Sequence, residues 1–221
     1  MAAGADALVL PGDLFDAWIG DDLPDAEAAA PGDRLALELA AALRAVAATG
    51  TAVLIGRGNR DFLLGEDYAE RAGARLLPER ALLRVADEPV LVTHGDELCT
   101  ADTDYQRFRA MVRDPAWQAA MRARPRAERA AIARQMRQGS RAAQREKAED
   151  IMDVEPGAVL ASMRAAEVAR LVHGHTHRPG LHAFELDGRP AFRHVLPDWD
   201  AAAGRGGFLL ADAAGWRALP A

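Results

Sequence analysis

No disulfide can close within this chain, because its 221 residues include a single cysteine, Cys99. A lone thiol fits a reducing compartment and reads as a small core residue rather than a nucleophile. Any metal site must then be built without thiolate ligands. Long apolar runs are missing as well: nothing approaches the roughly 18 uninterrupted apolar residues of a spanning helix. Met1 to Leu10 has neither a basic leader segment nor an adequate apolar one, so a soluble or peripheral protein is expected. A general excess of positive charge is absent too. The 27 basic and 33 acidic residues leave a formal charge of −6, which argues against a broadly nucleic-acid-binding surface but leaves local patches open.

What is present is an alternation of short apolar runs and helical patterns. Half of the residues are apolar, enough for one domain or one domain with an insertion. Ala7-Leu8-Val9-Leu10 predicts a buried strand that runs at once into Pro11-Gly12-Asp13. Leu35, Leu39, Leu43 and Val46 recur at helical spacing and predict a helix from about Asp33, its N-cap, to Thr49, with Gly50 as the stop. A β-branched run at 51–55, a Gly-rich turn at 56–61 and a helix ending near Gly73 follow. Strands at 81–85 and 89–93, a helix at about 157–167 and a strand from Ala169 to Val172 complete an α/β signature. The polar motifs sit just after strands, where layered α/β folds gather their ligand sites.

The stretch from about 103 to 150 differs from its surroundings. Good helix formers, few β-branched residues, and Pro115 and Pro125 near helix boundaries mark a helical insertion. From Arg113 to Lys147 it carries nine Arg and Lys147 against Asp114, Glu128 and Glu146, a local excess of +7 in an acidic chain. A solvated helical face is the ordinary reading of such a run.

Four short clusters carry the chemistry: Gly12-Asp13-Leu14-Phe15-Asp16, Gly58-Asn59-Arg60-Asp61, His94-Gly95-Asp96 and His173-Gly174-His175-Thr176-His177. Each alone reads as a turn or a structural histidine. Together they offer one carboxylate, one amide oxygen and three imidazoles, the mixed O and N donors that Mn, Fe or Zn accept.

This ordered set resembles the calcineurin-like metallophosphoesterase superfamily. The longer runs Gly-Asp-Leu-Phe-Asp-Ala-Trp-Ile-Gly-Asp-Asp, Gly-Asn-Arg-Asp-Phe-Leu-Leu-Gly, His-Gly-Asp-Glu-Leu-Cys-Thr-Ala-Asp and Ile-Met-Asp-Val are similar to the UDP-2,3-diacylglucosamine pyrophosphohydrolases of lipid A synthesis. The resemblance implies a layered β-sheet sandwich flanked by helices, one domain over 1–221 with a helical cap at about 103–150. It implies two Mn2+ ions per chain, with Asp13 bridging, Asn59, His94 and His173 completing the second site, and His175 serving the first. Asp13, Asn59, Arg60 and His94 would act in catalysis. Asn59, Arg60, Asp102, Ser140, Gln144, Lys147 and His173 would hold the nucleotide lipid UDP-2,3-diacylglucosamine. Arg60, where most superfamily members have His, would fork onto phosphate oxygens. Tyr105, Phe108, Met111, Trp117, Met121, Ile132 and Met136 would either line an acyl-chain groove or pack the cap itself. The protein would work in the cytoplasm, peripheral on the inner membrane, with its arginines facing anionic headgroups at about 1 kcal/mol each. No nucleic acid partner is expected, and oligomeric state is left open.

One departure is large. The family opens with an Asp-x-His motif that supplies two ligands of the first metal, and no Asp-x-His occurs in these residues. A strand and helix upstream are therefore expected to be missing, so that the second metal site fills in preference to the first and the 221-residue form has little activity. The alternative readings are a general metal-dependent phosphoesterase and a non-catalytic module that binds lipid and metal.

Overall fold

The computed structural model describes residues 4–25, 27–146, 151, 153–200 and 202–220. The backbone forms two compact units, Met1–Pro78 with Arg107–Lys147, and Glu79–Gln106 with Ala148–Ala221. As the motifs imply, the architecture is α/β.

In the first unit three parallel strands, β1 (Ala7–Leu10), β2 (Ala52–Ile55) and β3 (Ala74–Leu76), lie in that order, with Leu10 in register with Ile55. Parallel neighbours need a crossover, and α1 (Pro31–Ala48) and α2 (Glu66–Arg71) provide it. The inward stripe of α1 is Ala36, Ala40 and Leu43, backed by Leu39, Val46 and Ala47, so small side chains let the helix approach the sheet. Leu35, expected on that stripe, is instead 61% exposed, because the buried row begins one residue later. Asp33 is not the N-cap either. Ala30 holds that place without a side-chain bond, Pro31 fills the first turn, and Asp33 pairs with Arg126.

The stretch expected to be helical comprises α3 (Thr103–Arg113), α4 (Pro115–Arg122) and α5 (Arg126–Glu146). Both prolines fall at boundaries: Pro115 opens α4 behind Asp114, whose carboxylate accepts from Trp117 N at 2.8 Å, and Pro125 precedes α5. Val112 and Met121 are buried in the core of this unit, and Phe108, Trp117 and Ile132 pack against it. These side chains are thereby engaged in holding the helices down, while Met111 remains 43% exposed. Arg129, 3% exposed, grips the carboxylate of Asp22 with both Nη atoms and also donates to Ile19 O and Arg124 O. Arg126 reaches Asp22 and Asp33, Arg124 pairs with Glu128, and Arg137 with Asp16. Much of the basic run is thus matched within the chain.

The second unit is built on a five-stranded sheet ordered β4 (Arg80–Val85), β5 (Glu88–Thr93), β6 (Arg170–His173), β8 (Arg189–Val195) and β7 (Gly180–Leu186). The central strands β5, β6 and β8 are parallel, and the two edge strands are antiparallel hairpin partners. Asp187-Gly188, both at positive φ, makes the tight two-residue turn between β7 and β8. Helix α6 (Pro156–Ala165) places Val159 and Met163 in a core with Leu91, Leu98, Cys99 and Leu171. Burial pushes the Cys99 thiol up to about 12, in keeping with an inert core residue. A final hairpin, β9 (Gly207–Asp212) and β10 (Gly215–Pro220), contributes Trp216, whose ring and that of Phe192 each lie 4.6 Å from the guanidinium carbon of Arg170. Among the described residues no helix is long and apolar enough to cross a membrane.

Two predictions follow from these anchors. Truncating Arg129 removes a buried guanidinium and leaves the Ile19 and Arg124 carbonyls unmet, so Arg129→Ala should lower unfolding free energy by about 2–3 kcal/mol in urea titrations. A loss under about 0.5 kcal/mol, the range of an ordinary surface change, would contradict the anchoring role. His194 stacks on Trp216 and accepts from Arg170 Nη1 at 2.7 Å, a bond that requires a neutral ring. Burial, reinforced by Arg170, lowers it from 6.5 to about 4. Since the folded state rejects the proton, its contribution is complete above pH 6.5 and is lost as pH falls towards 4. His194→Phe should therefore shrink the stability difference between pH 7.5 and pH 4.5 by on the order of 1–2 kcal/mol, read by thermal unfolding at both values.

Candidate metal and phosphate site

In the first unit the two motif loops leave adjacent parallel strands and close on each other. Gly12 lies at φ +118°, and Asp13 itself is left-handed at φ +56°. The approach is so tight that a Cβ on Gly58 would stand 2.1 Å from Asp13 Oδ1, and one on Gly12 would stand 2.6 Å from Gly58 N. Only glycine permits it. Asp61, fully buried, binds the pair together: its carboxylate accepts from Gly58 N at 2.6 Å, Leu14 N at 2.7 Å and Asp13 N at 3.2 Å. Asp13 Oδ1 accepts from Arg60 N at 2.8 Å, and Arg60 Nε lies 3.4 Å from Asp13 Oδ2. Arg60 Nη1 also meets Asp16 at 3.0 Å. Asn59 occupies the turn between these contacts, half-buried. Behind the loop, Arg113 Nη2 donates to the carbonyls of Arg57 and Gly58, each at 3.1 Å.

In the second unit the histidines come from the C-terminal ends of two neighbouring parallel strands. His94 follows β5 and His173 ends β6, with Gly174 N donating to His94 O at 3.0 Å. The His94 and His175 rings meet at 5.1 Å, and the Tyr105 ring lies 5.7 Å from that of His175. His175 and His177 both take positive φ, 67° and 54°, uncommon for residues other than glycine. Burial lowers His173 to about 4 and His175 to about 3, so both are neutral at ordinary pH. The proton on His173 can be assigned. Arg193 can only donate, and its Nη1 is 3.2 Å from His173 Nε2, so the ring proton sits on Nδ1, 2.9 Å from Gly174 O. His177 Nδ1 lies 3.8 Å from Asp198, which also holds Arg205 at 2.9 Å.

The structure thus brings Asp13, Asn59 and Arg60 together in one unit and His94, His173 and His175 in the other. Among the described residues no three carboxylate, imidazole or thiol side chains form a ready metal cluster. Each unit by itself offers donor types that divalent ions accept, a carboxylate and an amide oxygen in the first and neutral imidazoles with lone pairs in the second. The remaining expected residues have other settings. Asp102 caps α3, its Oδ1 accepting from Tyr105 N at 3.0 Å. Ser140 is exposed on α5, Gln144 lies on the same helix, and Lys147 lies outside the described residues. Tyr105 is more than apolar lining, because its hydroxyl donates to the buried Asp96 at 2.7 Å. Asp61 and Arg193 were not among the expected site residues. Asp61 stood in a recognised cluster, but nothing in sequence marks a carboxylate that collects main-chain N–H groups from a loop 47 residues away.

Removing the Asp61 carboxylate leaves three N–H groups unmet. Asp61→Ala should cost about 3–5 kcal/mol in chemical denaturation, and Asp61→Asn less, since one acceptor oxygen survives. Equal stability of Asp61→Ala and wild type would remove the clamp.

No family model matches the chain. Among curated proteins it is similar to the UDP-2,3-diacylglucosamine hydrolase of Bordetella pertussis, 53% identical over 213 residues, covering 94% of this chain and 80% of that protein. The protein of that name from Stenotrophomonas maltophilia is 46% identical, with 97% and 85% covered, and that from Chromohalobacter salexigens is 50% identical, with 90% and 77% covered. Identity of this order over nine-tenths of the chain means that the chain belongs to the UDP-2,3-diacylglucosamine hydrolase family.

Proposed function

We propose that this protein hydrolyses the pyrophosphate bond of UDP-2,3-diacylglucosamine to UMP and 2,3-diacylglucosamine 1-phosphate, the lipid A step. The observation that carries the reading is the extent of identity with relatives of that name, and the geometry of Arg60 supports it. Its guanidinium is kept on the Asp13 loop by two carboxylates, one of them on the 84%-exposed Asp16 side chain, so an arriving phosphate can exchange for the outer partner. A planar fork suits a diphosphate better than an imidazole would.

Asp13, Asn59, His94, His173 and His175 would hold manganese, with Asp13 shared between two ions. When bound, the metal supplies an acidified water and polarises a phosphoryl oxygen. The chain's own contribution is preparation. Asp61 and the glycines set the Asp13 carboxylate rigidly, Gly174 O fixes the proton of His173 on Nδ1, and burial keeps the His173 and His175 imidazoles unprotonated and able to donate lone pairs. Contact with an anionic inner-membrane surface from the cytoplasmic side belongs to the same reading, since the substrate carries two acyl chains. Arg124, Arg126, Arg129 and Arg137 are paired with carboxylates of the chain and would contribute less to that contact.

Purified full-length protein with manganese should release UMP from UDP-2,3-diacylglucosamine and should be slow on UDP-glucose. Equal turnover of both, or of a simple phosphodiester, would indicate the general phosphoesterase instead. Asp13→Ala should lower kcat/KM more than about 100-fold, because a shared carboxylate serves two coordination shells, and Arg60→Lys should lower it about 10-fold by losing the fork. Wild-type rates in Asp13→Ala would remove the bridging role.

A further inference from the structure

We propose that the exposed indole of Trp199 is the stacking platform for the uracil ring of the nucleotide substrate; this rests on the pyrophosphate-hydrolase reading and adds a base subsite to it. A single exposed apolar side chain is ordinary on a protein surface. Trp199 differs in how it is mounted. It is 61% exposed, yet its ring meets Phe208 of β9 edge-on, with centroids 5.0 Å apart and planes at 71°. The residues on either side are pinned. Asp198 accepts from Arg205 Nη2 at 2.9 Å, and Asp200 accepts from the same nitrogen at 3.1 Å. Asp200 and Arg205 also exchange main-chain hydrogen bonds in both directions, each 2.9 Å, which closes the loop at its base. A flexible side chain on a flexible loop would lose much of its binding energy to ordering. This ring is already ordered.

Its position connects it to the phosphate chemistry. Asp198 reaches His177 at 3.8 Å, and His177 is two residues beyond His175 in the same loop. A nucleotide whose phosphates lie at the histidine motif carries its base one ribose away from them. A planar base can lie flat on an indole without needing a particular hydrogen-bond pattern, whereas an acyl chain needs a groove that surrounds it. The chemistry of the mount therefore fits the nucleotide end of the substrate rather than its lipid end.

Tryptophan fluorescence and steady-state kinetics test the assignment on the manganese-supplied full-length protein. UMP should quench the emission, ribose 5-phosphate should not, and the quench should vanish in Trp199→Phe although Trp18, Trp117 and Trp216 remain. Trp199→Ala should raise KM for UDP-2,3-diacylglucosamine roughly 10- to 100-fold with kcat changed less than about threefold, and Trp199→Phe should restore most of the affinity. Unchanged melting temperatures in both variants would show that folding is not the cause. An unchanged KM in Trp199→Ala together with no UMP-dependent quench overturns the proposal. So does an emission shift on phosphatidylglycerol vesicles with none on UMP, which would make Trp199 a membrane anchor. If the wild-type protein fails to release UMP from the substrate, the parent reading falls, while quenching by UMP still decides the base subsite separately.

Discussion

The buried carboxylate of Asp61 is the contact on which the first half of the site depends. A fully buried charge is tolerated only when hydrogen bonds replace its water, and here three main-chain N–H groups from two loops do so. Satisfying Asp61 therefore forces the loop after β1 against the loop after β2. Once they touch, Gly12 and Gly58 have no room for a Cβ, Asp13 is driven into a left-handed conformation, and Arg60 N is brought to its carboxylate. Such strain is carried where a side chain must point in one direction.

The second unit reaches its arrangement by topology rather than by a clamp. Parallel β5 and β6 end at the same edge of the sheet, so residues 79 positions apart, His94 and His173, arrive next to each other. Enclosure then decides their protonation. The imidazoles of His173 and His175 are kept neutral by loss of water, and the main-chain carbonyl of Gly174 fixes which nitrogen of His173 carries the proton. Arg193 takes the other nitrogen, so an ion using that lone pair would replace a guanidinium.

The helical stretch shows how a charge count can mislead. Its excess of +7 suggests a long cationic face, yet several of its arginines are turned back on carboxylates of the same unit, and Arg129 is among the most buried polar residues described. Charge in sequence counts residues; charge at a surface counts those whose partners lie elsewhere. Asp22 and Asp33, more than 90 residues upstream, are the partners that the local count could not include.

Much of the plan was legible in the chain itself. The motif order, their placement after β1, β2, β5 and β6 and the helical nature of 103–146 follow from residue type and spacing, because turn glycines, β-branched runs and proline boundaries act locally, while the family came from the resemblance of the longer motif runs. The strands after residue 179 were not anticipated, although Asp187-Gly188 is a hairpin signal, since their alternation is broken by Arg, His and Glu that face cross-strand partners rather than solvent alone. Leu35 was misplaced because a helix with several alanines can bury either of two neighbouring stripes, and the sheet beneath chose the smaller one. What only the tertiary structure decided was pairing at long range: Asp61 with the Asp13 loop, Arg129 with Asp22, Arg193 with His173 and Asp198 with His177. Sequence specifies which donors and acceptors exist. Which of them meet is settled by the burial that removes their water, a condition imposed by the packed fold and by no local run of residues.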